Sequence, residues 1–542
     1  MNVKLIYFFV FIILAGIQKA WSQQPASPTA DTTKRVEILD ARKLELLKIN
    51  DSTQLQILAG NVRLRQARTL FFCDSCVINN SSHVFEAFGH VHINDADTAN
   101  AFSDYLRYLT DKRVAYLQKN VKLTDGKATL TTDNLEYDVD TKIGIYTNGG
   151  RVVNKKSVLT SLEGYYYTDL KDIYFKKNVE LKDPAYFLKS DSLLYNTESE
   201  VARFIAETFI QDSSKRIIIT REGYYDTKNK KAEFGLRPII QDGKTKVIAD
   251  RVRFNDSTGI SQAEGNAIVI DSAQQTVIIA GEIFRNDKTE SILAFNKPLM
   301  IVKQEEDSIY ITADTLFSAR LTDLYGTPNS SKKDTAKNVK LVDTKEKDST
   351  NRYFEAFYHV RIFSDSVQSV SDSMFYSFKD SVFRLYKDPV VWSKENQVTG
   401  DTILLFTKNK KADRIKVFEN SLLVNKVQGD FFNQVKSARM DGYLTDGSID
   451  SVRARGFAEC IYYLQNEDSS FTGVNQSNSD VIDIYFAPDS TGKDKELRKV
   501  VFRSAVKGTL WPMRAKTPEE LRLRNFKWLE ARRPKTKYEL YE

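Results

Sequence analysis

Cysteine is nearly absent. Cys73, Cys76 and Cys460 are the whole complement of 542 residues, too few for a disulfide scaffold. After Ile17 no apolar run is long enough to cross a bilayer as a helix, which needs roughly 20 residues. No phosphate-cradling glycine loop, Gly-x-Ser-x-Gly elbow or His-Glu-x-x-His pair occurs, so the common nucleotide, serine-hydrolase and zinc-protease chemistries have no footing. Helical periodicity is missing until the C-terminus. A basic body is missing too. The net charge is +7, but residues 493–542 hold 15 Lys/Arg against 7 Asp/Glu, so the body is close to neutral and a nucleic-acid groove along it is not supported.

What is present begins with an export signal. Lys4 precedes an apolar run from Leu5 to Ile17, and Ala20-Trp21-Ser22 offers small residues before Gln23. Residues 1–22 are read as a signal peptide, with an uncleaved anchor as the competing reading, and 23–35 as a flexible leader. Aromatic content of 11% and apolar content of 41% then call for a folded protein.

The body is a repeat. Phe85-Glu86-Ala87-Phe88-Gly89-His90-Val91-His92-Ile93 returns as Phe354-Glu355-Ala356-Phe357-Tyr358-His359-Val360-Arg361-Ile362. Segments of the type Val-x-Leu start at Val62, Val91, Val121, Val152 and Val179, which are 29, 30, 31 and 27 residues apart. They continue as Ile268-Val269-Ile270, Leu299-Met300-Ile301 and Val390-Val391-Trp392, with weaker members near Phe209 and Ile239. Between them runs acidic-x-apolar-x-aromatic, as in Asp104-x-Leu106-x-Tyr108, Asp133-x-Leu135-x-Tyr137 and Asp191-x-Leu193-x-Tyr195. Both segments alternate with period two, so each predicts a short strand with one apolar face. One unit cannot bury that face by itself. Stacked units can. About 13 units of two strand layers, 4.8 Å apart, predict an array on the order of 120 Å long.

Ala59-Gly60-Asn61-Val62-Arg63-Leu64, Ala87-Phe88-Gly89-His90-Val91-His92-Ile93 and Ala263-Glu264-Gly265-Asn266, with the Asp-x-Leu-x-Tyr elements between them, resemble the OstA-like proteins, the family that includes the LptA-type lipopolysaccharide-export proteins. The resemblance covers roughly residues 36–486. It implies an all-β fold, an elongated repeat-built twisted jellyroll open along one side. It implies binding of lipid A acyl chains in the apolar groove, with lipopolysaccharide, an inner-membrane extraction complex and an outer-membrane translocon as partners. The location it implies is the periplasm of a Gram-negative bacterium. The chain is longer than typical members and has no outer-membrane barrel region. Its expected organisation is an OstA-like β-repeat region over 36–325, a polar insertion over 326–352, a second repeat region over 353–505 and a basic tail over 506–542.

The expected groove lining is Val62, Leu64, Val91, Ile93, Val121, Leu123, Val179 and Leu181, with Leu106, Tyr108, Leu135, Tyr137, Leu193 and Tyr195. The competing reading of each is ordinary core without a ligand. Neither enzymatic activity, a cofactor nor a metal is expected. His90 and His92, with His83 nearby, have a spacing a metal uses, but no third ligand cluster accompanies them. Cys73-Asp74-Ser75-Cys76 leaves a local disulfide and two free thiols equally open. The recurring Asp residues read as strand-entry and turn hydrogen bonding rather than a calcium ladder. In the tail, Thr517-Pro518-Glu519-Glu520 reads as a helix start and Pro534 as its stop. That helix is expected either to pack on the last repeat or to make a peripheral contact with an anionic membrane. A structural or adhesive envelope β-solenoid without a lipid is the alternative to a lipid carrier.

Overall fold

A computed structural model describes residues 35–50, 53–96, 99–303, 308–325, 351–408, 411–445, 447–466, 470–488 and 495–541. The expected signal peptide, and nearly all of the leader and the insertion, lie outside these residues. The described chain is almost entirely antiparallel strand, with one five-residue helix at Leu321–Tyr325 and two short 3-10 turns near the end. Two compact units divide it. The first holds the described residues of Met1–Gly126 and Thr131–Gly144, and the second those of Lys127–Leu130 and Ile145–Glu542.

Asx turns reverse the chain between strands. The Asn79 side-chain oxygen accepts from the N–H groups of Ser81 and Ser82, Asp138 from Asp140 and Thr141, and Asn196 from Glu198 and Ser199. Short polar side chains satisfy the turn backbone this way, which is why Asp, Asn and Ser cluster between the apolar segments.

A second device bends the long strands in the middle. In the first unit Gly60-Asn61, Gly89-His90 and Lys119-Asn120 are left-handed, and in the second Lys177-Asn178, Gly265-Asn266, Tyr358-His359 and Glu419-Asn420 repeat the pattern. The strand register shifts at the same places. Two left-handed residues turn the strand through a corner, so its halves enter two facing sheets. Contacts across the first unit show the facing: the Phe71 ring sits 5.1 Å from Phe85 and 4.7 Å from Tyr108, on the other arm of the bend.

The recurring acid holds the corner. Asp104 accepts from the Asn120 amide at 2.6 Å, Asp250 from Asn266 at 3.0 Å and Arg237 at 2.8 Å, and Asp401 from Asn420 at 3.1 and 3.2 Å. Asp74 and Asp314 do the same for His90 and His359, at 2.8 and 2.9 Å. Gly89 is needed for space as well as for its φ of +72°: a Cβ there would lie 2.3 Å from Asp74 Oδ2. The expected turn role of the acids is thus a corner cap at these five bends.

Inward side chains form cross-strand ladders on each arm. In the first unit one arm runs Leu64, Phe71, Ile93, Ala101, Leu123 and the other Leu58, Cys76, Ala87, Leu106, Leu117. In the second unit one arm runs Leu181, Leu188, Ile210, Ile218, Ile240, Val247, Val269, Ile278, Met300, Ile311, Ile362. This ladder corrects the phase read at four places. Inward residues are Ile210, Ile240, Val269 and Met300, not Phe209, Ile239, Ile268 or Leu299. The same shift holds at Val391, which faces inward between Val390 and Trp392. At these rungs consecutive residues are apolar, so alternation gives no phase.

The described tail holds no α-helix, only the two 3-10 turns at Glu530–Arg532 and Lys537–Leu540. Thr517 and Glu520 do close a reciprocal box, Glu520 Oε2 accepting from the Thr517 N–H at 2.8 Å and Thr517 Oγ1 from the Glu520 N–H at 3.4 Å, but a single turn follows. Beyond it, up to Leu529, the chain runs without regular helix across the outer face of the second unit. Buried Gln434 donates to Leu521 O and accepts from Leu523 N–H, while buried Gln397 donates to Lys527 O and accepts from Leu529 N–H, at 2.7–3.3 Å. Each amide takes the C=O of one tail residue and the N–H of the second one along, as a strand partner would. Leu521 and Leu523 pack on Ile461, Tyr463 and Val474, Phe526 and Trp528 on Phe432, and Leu529 on Trp392. These contacts win over the intrinsic helix signal, because short helices draw most of their stability from packing.

Candidate functional site

Each of the fourteen residues expected to line the groove is buried to within 2% exposure and points between the sheets. In these rungs the space is filled by the chain itself. The Asp-x-Leu-x-Tyr tyrosines close its mouth. Tyr108 Oη donates to Gln66 Oε1 at 2.6 Å, Tyr137 Oη donates to Asp95 Oδ2 at 2.8 Å, and Tyr195 Oη accepts from Asn154 Nδ2 at 3.1 Å. The partners lie 42, 42 and 41 residues apart, so one bridge recurs across successive rungs. Asp95 also accepts from Thr69 Oγ1 at 3.0 Å and pairs with Lys142. Buried polar groups of this kind are stable because each is hydrogen-bonded. Burial raises Tyr195 to about 12, so its hydroxyl stays protonated.

Further along the second unit the mouth opens. The tyrosine slot passes through Tyr225 to Phe254, Arg285 and Ser318 on the same ladder. Phenylalanine has no hydroxyl, and Tyr225 bonds sideways to Asp256 at 3.1 Å. Arg285 still reaches across, to Asp242 at 3.1 Å, 43 residues away. A cavity of about 2980 Å³ lies here, within residues 183–384. Its floor is Ile210, Ile218, Val269, Ile278, Met300 and Phe354. Its rim carries nine basic and eight acidic side chains, among them Arg216, Lys244, Lys288, Asp212, Asp256 and Asp271. Ligand pockets for single small molecules run to about 1,000 Å³. This space is larger, apolar within and nearly charge-balanced at the edge.

The fourteen expected residues do not line this cavity; they belong to the closed rungs beside it or to the first unit. Sequence reading missed the open stretch. A signal was present, in the loss of the motif tyrosine at Phe254 and Arg285.

The histidines have separate partners. His90 sits on its corner with Asp74. His92 stacks between Phe72 and Phe102 and contacts Asn100 at 2.9 Å, and His83 lies on a turn near Asp111. Among the described residues no group of three His, Cys, Asp or Glu is placed to hold a metal. The hydrogen bond to Asp74, and then its charge, raise the His90 pKa above 6.5. A raised cation pKa gives stability that is complete below 6.5 and is lost as pH rises through the folded value. NMR titration should place His90 above 6.5, and Asp74→Asn should return it there; an unchanged His90 titration in that variant would remove the corner pair.

Cys73 and Cys76 are free and buried, and Cys460 is free and buried on the inner face of the second unit. A hydrogen bond with Cys73 and burial push the Cys76 thiol up, and burial pushes Cys460 up to about 12, so both stay unreactive thiols.

Residues 33–191 match the sequence family of OstA-like proteins, 159 of the 542 residues. No curated protein matches the chain. Among solved structures, one that is similar is LptH of Pseudomonas aeruginosa, the LptA homologous periplasmic component of its lipopolysaccharide transport device. Identity is 10% and the TM-score 0.19, over 26% of this chain and 82% of that one.

Proposed function

We propose that this chain, OstA-like over residues 33–191, shields the acyl chains of lipopolysaccharide between its two sheets while the lipid moves from inner to outer membrane. The cavity within residues 183–384 carries the proposal, because it pairs an apolar floor with a charged rim. An acyl chain of twelve carbons gains about 10 kcal/mol on leaving water, at about 0.8 kcal/mol per CH₂. A carrier must match that gain, and it must match it evenly from rung to rung for the lipid to move. The floor supplies repeated Ile, Val and Met at the strand spacing. The rim supplies cations for phosphates and acids for sugar hydroxyls.

In the closed rungs the lining residues Val62, Leu64, Val91, Ile93, Leu106, Leu123, Leu181 and Leu193 meet lipid when the tyrosine bridges part. The bridges are hydrogen bonds across a mouth, each worth about 1 kcal/mol net, and so can open and reclose one at a time. The periplasm is the compartment this role needs, and the partners are an extraction complex on one side and a translocon on the other.

A lipid-free envelope scaffold is the second reading, and the self-filled rungs around Tyr108 and Tyr137 favour it. Native mass spectrometry and solvent extraction of the purified protein separate the two. Recovery of an acylated glycolipid, reduced when Ile218→Asp puts a charge on the cavity floor, is the expected result. Bare protein mass under conditions that retain lipid on other carriers would favour the scaffold.

A further inference from the structure

The last strands of the second unit carry a charge pattern that the interior does not use. Inward residues there are Val417, Met440, Ala454 and Ile482, all buried. Alternation therefore turns their neighbours to the outer face. Those neighbours form three cross-strand rows. One runs Arg414, Tyr443, Ser451, Tyr485, Lys499. The next runs Lys416, Asp441, Arg453, Asp483. The third runs Phe418, Arg439, Arg455, Val481, Arg503. The rows hold seven cations against two acids.

Like charges on neighbouring strands repel, so the grid is costly unless something anionic covers it. The internal acids are already engaged. Asp483 is held by Arg453 at 2.5 Å and Arg503 at 2.9 Å, and Asp441 meets Arg439 at 3.4 Å and Arg455 at 4.0 Å. Two guanidinium nitrogens, Arg414 Nε and Arg439 Nε, are buried and have no hydrogen-bond partner among the described residues. A depression of about 390 Å³ opens between Arg439, Arg453 and Arg455, with Tyr443 and Tyr485 beside it.

The neighbouring corner is apolar and bare. Phe457 follows Gly456 at the bend, with φ +48°, and is 90% exposed. It adjoins Arg455. Val506 and Leu510, on the following turn and strand, are also exposed. A large aromatic standing in water beside a cationic face suits the headgroup level of a bilayer, where an apolar ring is buried and arginines meet phosphates.

We propose that this outer face docks on a membrane surface bearing anionic phosphate headgroups, with Phe457 entering the interface and Arg439 and Arg455 contacting phosphate. The charge sign and the bare ring favour a lipid surface over a soluble anion, which would leave Phe457 uncovered. The proposal goes beyond the carriage of lipid in the interior and stands without it.

Flotation of the full chain with vesicles tests it, using phosphatidylcholine with and without phosphatidylglycerol. Stronger binding to the anionic vesicles is expected. Arg439→Gln with Arg455→Gln should weaken that excess by about 25-fold, from about fivefold per surface cation, and Phe457→Ser should lower it without changing its salt dependence. Arg455 is exposed and Arg439 half-buried, both on the outer face and away from the packed interior, so circular dichroism should be unchanged. Lys177→Gln with Lys189→Gln, equal in charge and distant in sequence, should leave binding as it was. Equal binding to both vesicle types, or equal loss in the two double variants, would overturn the proposal. So would retention of inorganic phosphate by the grid without any vesicle excess, which would assign the site to a soluble anion.

Discussion

Truncation before Thr517 should expose an apolar sheet face and lower the stability of the second unit more than any single tail substitution. The covered residues include Trp392 and Val424 at 0% exposure, Tyr463 at 2% and Phe432 at 7%. Without residues 517–542 these stand in water on a surface whose other face is already core. The expected readout is a lower urea midpoint together with dye binding that marks exposed apolar surface. Single clamps should cost less. Gln434→Ala leaves Leu523 N–H and Leu521 O buried without partners, at about 1–3 kcal/mol. Gln434→Leu should not rescue it, because the missing element is the amide rather than volume. An unchanged midpoint in the truncated chain would mean that the tail adds nothing to the second unit.

The second large effect separates filled rungs from open ones. Leu181→Ala should cost about 2–5 kcal/mol, since Leu181 is fully buried in a rung closed by its own side chains. Ile278→Ala should fall at or below the bottom of that range. Ile278 already lines the open cavity, so its truncation removes less packing. Paired denaturant titrations give the comparison. Equal losses would indicate that the space around Ile278 is as tightly packed as that around Leu181.

Much of this was legible in the sequence, and for a physical reason. Val62-Arg63-Leu64 and Asp104-x-Leu106-x-Tyr108 alternate cleanly because one face meets core and the other water, so period and phase can both be read. The OstA-like pattern and the all-β repeat followed from those segments. Phase was lost at Leu299-Met300-Ile301 and Val390-Val391-Trp392, where both faces are buried. Leu540 packs on the Leu299 side and Leu529 on the Trp392 side, contacts made by a tail more than a hundred residues away. No local pattern encodes that. The tail itself was misread for the same reason. Thr517 to Glu520 spells a helix start, but Gln397 and Gln434 supply its backbone partners from far upstream. The corner role of the acids was half legible. Asp and Asn at fixed spacing signal a turn, yet the pairing of Asp74 with His90 depends on strand neighbours. The open cavity left the faintest trace, a tyrosine replaced at Phe254 and Arg285.

Photo-crosslinking in cells tests the central claim most directly. A photoreactive amino acid replaces Ile218 or Ile278 on the cavity floor, Leu181 in a closed rung, or the outward residues Ile219 and Lys189. Carriage between the sheets predicts lipopolysaccharide adducts at Ile218 and Ile278, weaker ones at Leu181 and none at Ile219 or Lys189. Adducts confined to the outward positions, or absent from all five while the protein is folded and exported, would contradict it.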